Sequence, residues 1–449
     1  MNRNYLVAAA VTAVLASGAA SAQVSLATIQ ATPRSNTVYI AGSSAIKAAL
    51  LATIQNNFCG GTFTNITSSG NNKNFLGVAC TPNPALVSNP GGNYNVWLRY
   101  EGGSVAGYLP IVNNVGINFI SAAALTNLTP SINGEATTNG TNDSFTGPLA
   151  DAIPDLAIGD VEPQALIGNN YPAAYSTAVW GPNNQTGMFN LKSSGGIIDE
   201  VYALYVNQVG TVITEQPLNL TSETIAQILT GTIKNWSQVF DTAGNPVATG
   251  ALAITVVNRE QGSGSRAATD ILLAGDKCGS AGKAVTLVDK GPIDYFSGGD
   301  VLAAANLVPG GITYATIDNT QLTGAQSNLA WVNINGVAPS NLNAALGTYP
   351  FWVEAQFVNN AAATTNPSGG DSTAVKNIIS GLQSQATTSA LADINVIPNV
   401  ANAAGTPAKF NTVVHANANL SLANTVYVNP YTRAGVTCNN PVFSANTFP

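Results

Sequence analysis

Short β-rich runs alternate with helix-forming ones along much of the chain. Val38-Tyr39-Ile40 predicts a strand ending in Ala41-Gly42-Ser43-Ser44, and Ala45 to Ile54 predicts the helix behind it. Val96 to Tyr100 predicts a second strand, ending in Glu101-Gly102-Gly103-Ser104, and Asp155 to Ile158 a third, ending in Gly159-Asp160. Ala203-Leu204-Tyr205-Val206 is an apolar strand that leads into a new region. Behind Thr221, the stretch Ser222 to Leu229 predicts a helix with a hydroxyl N-cap, an acid in its first turn and Gly231 as its stop. Ala253 to Val257 predicts a strand feeding Gln261-Gly262-Ser263-Gly264-Ser265, after which Arg266 to Leu273 returns to helix. Alternation of this kind predicts an α/β fold.

The N-terminus adds a processing signal to that pattern. Met1-Asn2-Arg3-Asn4 carries one positive charge, an apolar run follows from Tyr5 to Ala16, and small residues end at Ala20-Ser21-Ala22. These are the three parts of a secretory signal peptide, cleaved after Ala22. The apolar run is too short to span a bilayer, and no Cys near the cleavage site offers an acyl anchor. The expected location is the periplasm or the exterior. The roughly 425 residues left exceed what one core ordinarily holds, which predicts two domains or lobes.

Composition narrows the partners. Hydrophobic residues make up 45% of the chain and charged residues only 8%, with 15 Lys+Arg against 22 Asp+Glu. An acidic chain this poor in cations carries no electrostatic footprint for nucleic acid and no basic membrane patch. Any anion it binds must be held by dipoles and very few charges. Two segments, about Gly60 to Gly92 and Thr126 to Gly147, are rich in Asn, Thr, Gly and Ser, and predict long surface insertions. The four cysteines, Cys59, Cys80, Cys278 and Cys438, allow three pairings in an oxidising compartment. Cys59–Cys80, closing a Gly/Asn-rich loop, and Cys278–Cys438 are the pairs expected. A zinc site is disfavoured, because no C-x-x-C occurs and the sole His is His415.

Candidate chemistry lies at the strand ends. Gly42-Ser43-Ser44, Gly103-Ser104 and Gly262-Ser263-Gly264-Ser265 each close a strand and open a helix. Such a turn aims backbone N–H groups and hydroxyls at a point made electropositive by about half a charge from the helix dipole. In open α/β sheets, ligands sit beyond the carboxyl ends of the strands, where these turns lie. Gly-Ser turns are common in this composition, and Arg259 supplies the added weight. It lies three residues before Gly262, and its guanidinium offers a planar fork for two oxyanion oxygens. Arg259 also has a bland reading as a surface ion-pair residue, and Asp160 one as a turn cap. Trp236 and Tyr314 read as core.

Val256-Val257-Asn258-Arg259-Glu260-Gln261-Gly262-Ser263-Gly264-Ser265 resembles the Arg-x-x-Gly-Ser-Gly-Thr/Ser segment of periplasmic phosphate-binding proteins of ABC transporters. Ala203 to Gly210 resembles their crossing strand. Ile228-Leu229-Thr230-Gly231-Thr232-Ile233-Lys234-Asn235-Trp236 is similar to their helix and Gly-x-Ile-x-x-Trp turn. Pro309-Gly310-Gly311-Ile312-Thr313-Tyr314 resembles their Pro-Gly-x-Ile-Gly-Tyr strand, and Thr348-Tyr349-Pro350-Phe351 their returning crossover. Ala374 to Pro398 looks like their C-terminal helix pair. The resemblance is densest from Val201 to Pro398 and patchier before it. The DING-type relatives, also phosphate binders, share the long loops, the disulfides and a Cys near Cys278.

The resemblance implies a type II periplasmic-binding-protein fold: two α/β lobes joined by two crossing strands and closing on ligand. Residues 23–202 plus 348–449 would form the first lobe and residues 203–347 the second. It implies capture of hydrogen phosphate for an ABC permease by a monomer with no catalysis, cofactor or metal. The family's anion site maps onto Ser44 and Ala45 in the first turn, Ser104 in the second and Asp160 in the third. Arg259, Ser263, Gly264 and Ser265 complete it from the second lobe. Ser44 stands where the family has Thr, and Ala45 where it has Phe, there contacting ligand through its backbone N–H. Gln261 departs from the pattern, replacing an Asp that pairs with the Arg. Glu260 is adjacent but, on an extended segment, is expected to point the other way. Asp160 carries the specificity: a carboxylate can face an anion that brings a proton, as hydrogen phosphate does and sulfate does not.

Two rivals remain. Gly102-Gly103-Ser104-Val105-Ala106 nearly fits the G-x-S-x-G of a hydrolase, but Ala106 breaks the last position and His415 lacks a recognisable setting. The other is a secreted interaction or structural protein that kept the fold and lost the ligand, for which the low charge and long insertions speak.

Overall fold

The computed structural model describes residues 23–85, 92–134, 145–172, 181–211, 217–275, 297–317, 328–360, 374–375, 377–378, 396–398 and 431–443. The expected signal peptide, Cys278 and His415 lie outside the described residues.

The helices are α1 (Leu26–Ala31), α2 (Lys47–Thr53), α3 (Gly103–Asn113), α4 (Gln185–Asn190), α5 (Ser222–Leu229), α6 (Gly264–Leu272), α7 (Gly298–Leu307) and α8 (Asn341–Ala345). The strands of the first half are β1 (Thr37–Gly42), β2 (Thr64–Thr67), β3 (Phe75–Cys80), β4 (Tyr94–Arg99), β5 (Ile117–Ile120), β6 (Leu149–Ala152), β7 (Leu156–Gly159) and β8 (Ser194–Asn207). Those of the second half are β9 (Asn219–Leu220), β10 (Thr255–Val256), β11 (Gly311–Thr316), β12 (Leu329–Trp331), β13 (Asn333–Ile334), β14 (Trp352–Asn359), β15 (Val396–Pro398), β16 (Tyr431–Thr432) and β17 (Val442–Phe443).

One mixed sheet runs in the order β10-β11-β8-β14-β7-β1-β4-β3-β2, with β12 and β15 also on β8. The 14-residue β8 reaches across it. Its first part pairs antiparallel with β14 and β15, and its last part with β11 and β12. The α/β class expected from alternation is what forms.

The centre of the sheet positions the site. β1 runs parallel to both β4 and β7, so the carboxyl ends of three strands open on one side. Period-two alternation sends Val38 and Ile40 to one face, where Val96, Leu98, Leu156 and Ile158 join Leu50 and Ile54. Ala41, Trp97 and Ala157 face the other way, against Val105, Ala106 and Leu109 of α3. Helices therefore cover both faces, and every strand end beneath them is held in place from two sides.

Two boundaries differ from expectation in an instructive way. Helix α6 starts at Gly264 rather than Arg266, because Ser263 caps it by accepting from the Arg266 backbone N–H. The segment near Gly60 to Gly92 is a correction: it is no surface insertion throughout. Its β3 is buried along its whole length, paired antiparallel with β4. Gly77 permits this, since a Cβ there would stand 2.2 Å from the Trp97 ring. Cys59–Cys80 is a disulfide that ties the end of β3 to the end of the α2 region. Cys438 is disulfide-bonded, with its expected partner outside the described residues.

Candidate functional site

Asp160 follows β7 directly and is buried, at 3% exposure. Its Oδ1 accepts a hydrogen bond from the Ser43 hydroxyl at the end of β1. Its backbone N–H donates to Ser104 Oγ, in the first turn of α3, at 3.1 Å. The backbone N–H of Ser265, in the first turn of α6, acts on the same carboxylate and draws its pKa down. Three strand ends and the start of a fourth element thus meet at one carboxyl group.

Arg259 reaches the same place from the other direction and is also buried, at 6%. One guanidinium nitrogen donates to Ser265 Oγ at 3.0 Å, and another lies 3.4 Å from Glu260 Oε1. Ser265 Oγ in turn lies 2.9 Å from Ser263 Oγ. Ser265 therefore acts on both charges: its N–H lowers the Asp160 pKa and its hydroxyl accepts from Arg259. The backbone of Arg259 is fixed twice, its N–H donating to Tyr314 Oη at 3.2 Å and its carbonyl accepting from the Arg266 guanidinium at 2.8 Å.

The two helix starts touch. A Cβ on Gly264 would stand 2.3 Å from Ser104 Oγ and 2.7 Å from Asp160 Oδ2, so only glycine allows this approach. The Val105 N–H donates to the Gly262 carbonyl at 3.0 Å, and the Gly262 N–H to the Asn170 carbonyl at 2.8 Å. These bonds join the turn before α6 to the segments that follow β4 and β7.

Of the residues singled out in the sequence, Ser104, Asp160, Arg259, Ser263, Gly264 and Ser265 are brought together. In the first turn, the hydroxyl that reaches Asp160 belongs to Ser43, and the Ala45 N–H donates to Ser43 Oγ at 3.1 Å. Ser44 sits beside it, half-buried, its carbonyl accepting from the Lys47 N–H. Glu260 corrects the expectation that it points away from Arg259. The chain leaves the extended path at Glu260, whose carbonyl accepts from the Ser263 N–H, so strand alternation no longer sets its direction. Gln261 turns away instead, its amide donating to the Asn169 carbonyl at 3.0 Å. The acid that meets Arg259 is thus one position earlier than the resemblance implies.

Burial raises the Asp160 pKa above its ordinary value; the Ser43 hydrogen bond, the Arg259 charge, the Glu200 side chain and the Ser265 N–H all pull it back. Beneath Asp160 lies a layer that the sequence reading missed. Glu200 on β8 is fully buried and acts on Asp160, drawing its pKa down. Tyr202 donates its hydroxyl to Glu200 Oε2 at 2.7 Å. Burial holds the Tyr108 and Tyr202 phenols well above their ordinary pKa, and the Asp160 and Glu200 charges add to it. Both phenols are therefore donors at neutral pH. An acidic pair interrupting the run Ile197-Ile198-Asp199-Glu200-Val201-Tyr202 was the available signal. Trp236 and Tyr314 are core residues as read, but Tyr314 also orients Arg259.

Hydroxyls, amides, one guanidinium and one carboxylate around a common centre can hold a small tetrahedral oxyanion that carries a proton. Among the described residues no group of three or more His, Cys, Asp or Glu could hold a metal ion. Among them, too, no helix is long and apolar enough to cross a membrane.

Comparison with known proteins bears on the second half of the chain. Residues 201–376 match the PBP superfamily domain. No curated protein matches the chain. Solved structures similar to it include a protein assigned as a phosphate ABC transporter substrate-binding protein, with bound phosphate, from Clostridium perfringens. It is 16% identical, with 81% of this chain and 99% of that one covered at a TM-score of 0.46. An ABC-type phosphate transport receptor from Vibrio cholerae is 15% identical, with 80% and 99% covered at a TM-score of 0.42. At TM-scores below 0.5, neither likeness bears on what this chain does.

Proposed function

We propose that the protein is an extracytoplasmic solute-binding protein that captures hydrogen phosphate between two lobes and delivers it to an ABC-type permease. The lobes are residues 23–202 with 348–449, and residues 203–347, crossing through β8 and β14. One observation carries the reading: a buried carboxylate, Asp160, accepts from the Ser43 hydroxyl and gives its backbone N–H to Ser104 Oγ, with the Ser265 N–H acting on it and Arg259 bound to the Ser265 hydroxyl. Arg259 neutralises the incoming anion, the hydroxyls and amides donate to its oxygens, and Asp160 accepts a hydrogen bond from its P–OH. Sulfate offers no such proton, so against it Asp160 is an unrelieved like charge. The superfamily match over 201–376 and the motif resemblance around Arg259 support the same reading.

Binding to the native state alone raises apparent stability, by about 2.7 kcal/mol when ligand is a hundredfold above its dissociation constant. Phosphate should therefore raise the melting temperature of the mature protein, and sulfate at equal ionic strength should not. A response to neither anion, with the fold intact by circular dichroism, would instead favour an interaction protein that has lost its ligand. Asp160 itself engages the Ser43 hydroxyl, which is the observation on that side.

A further inference from the structure

Hydrogen bonds cross from α6 and the turn before it to the segments that follow β4 and β7, using no group assigned to the anion. The Val105 N–H donates to the Gly262 carbonyl at 3.0 Å, and the Gly262 N–H to the Asn170 carbonyl at 2.8 Å. The Gln261 amide donates to the Asn169 carbonyl at 3.0 Å, and the Asn170 amide to Asp270 Oδ2 at 3.3 Å. Val105, Asn169 and Asn170 belong to the first of the lobes proposed above, and Gln261, Gly262 and Asp270 to the second.

Helix α3 depends on this crossing. Its N-cap is Gly102, which has no side chain to cap it. A capping side chain would take the N–H of the second or third helical residue. Val105 is that third residue, and its N–H goes to Gly262 of the other lobe instead. The start of α3 is therefore capped in trans, and the cap is lost when the lobes part. Val105, Gly262 and Asn170 are buried, so the bonds between them reach water only by opening. Gln261 is half-buried and Asn169 exposed, which places their bond at the surface beside the buried ones.

The residue type at position 261 fits this task. Glu260 meets Arg259, so the side chain at 261 turns to the other lobe. An acid there would not serve, because a carboxylate has no proton to give a carbonyl. We infer that Gln261 sets the rate at which the site opens: its amide and the Gly262 backbone latch the second lobe onto Asn169 and Asn170, and bound phosphate leaves only as fast as that latch breaks. The inference rests on the two-lobe, phosphate-binding reading for its functional meaning, but the latch itself needs no anion.

Amide hydrogen exchange on the mature, phosphate-free protein, read by mass spectrometry, tests the latch. Peptides holding Val105 and Gly262 should be protected in wild type. They should exchange about two- to tenfold faster in Q261A, the worth of one neutral hydrogen bond, while peptides from β1 and β4 stay unchanged. Q261E keeps the size without the donor and should repeat the result. Unchanged exchange at Val105 and Gly262 in either variant, or equal acceleration in β1 and β4, overturns the inference. A chase of labelled inorganic phosphate from the loaded protein tests the consequence. Release should quicken about two- to tenfold in Q261A, and a rate equal to wild type also overturns the inference. Failure of the wild-type protein to bind phosphate would instead count against the proposed function, with the exchange result still deciding the latch.

Discussion

Asp160 is held in the folded protein against its own preference for water. Its folded pKa lies above the ordinary value, so its contribution to stability is fully present below the ordinary carboxylate range and is lost as pH rises through the raised pKa. At neutral pH, above the ordinary carboxylate range, Asp160 therefore weakens the unliganded fold, in keeping with a site that gives up stability for function. D160N should melt above wild type at neutral pH without phosphate, with the difference shrinking as pH falls toward about 4. A difference independent of pH would contradict this. For Arg259, R259K keeps the charge but loses the planar fork that serves Ser265 and Glu260. Its phosphate affinity, read by calorimetry, should fall about ten- to a hundredfold, the worth of one charged hydrogen bond.

Legibility at this scale followed chemistry more closely than position. Arg259, Asp160 and the Gly-Ser turns were readable because each residue type does something its neighbours cannot. The choice between Ser43 and Ser44 was not readable, since two adjacent hydroxyls differ only in where the strand stops turning. Glu260 was misjudged because strand alternation was extended one residue into a turn. Glu200 was missed because a buried acid in a strand looks in sequence like a break in the strand.

At the scale of elements, the C-terminal segment is fastened to the crossing region by buried acids. Glu354 on β14 accepts from the Thr432 hydroxyl at 2.6 Å and from the backbone N–H groups of Arg433 and Gly435. Glu162, just after β7, accepts from the Thr437 hydroxyl at 2.6 Å and from its N–H. Arg433 lies over the Trp352 ring and donates to the Pro350 carbonyl, and burial draws its pKa down to about 10. The segment between β16 and β17 thereby bridges β14 and the turn that carries Asp160. T437V keeps the shape and removes the hydroxyl, leaving the buried Glu162 short of a donor. It should cost about 1–3 kcal/mol in urea denaturation. An unchanged midpoint would show that the clasp is not holding this region.

Elements were legible where apolar period and cap agreed. The helix Ser222–Leu229 forms with Thr221 as its cap, because the cap hydroxyl and the buried Ile225, Ile228 and Leu229 specify the same boundaries. Strand β3 was hidden by the Asn- and Gly-rich residues around it, although Phe75 to Cys80 is apolar throughout. Strand β8 begins nine residues before the apolar run at Ala203 because Asp199 and Glu200 interrupt the hydrophobic signal.

Across the whole molecule, the arrangement that matters is strand order. With β1 between β4 and β7 and all three parallel, residues more than a hundred positions apart share one sheet edge. Sequence shows each turn but not their adjacency, which only the sheet supplies. The stretch of densest motif resemblance, Val201 to Pro398, coincides with the PBP superfamily match at 201–376, while the strand ends that supply Ser43, Ser104 and Asp160 precede both. The proposed site therefore depends on two parts of the chain that carry very different amounts of family signal. Isothermal titration of the mature wild-type protein at neutral pH, first with phosphate and then with sulfate, tests that dependence most directly. Saturable one-to-one binding of phosphate with no detectable sulfate binding is the predicted result. Equal binding of the two anions, or of neither, would contradict it.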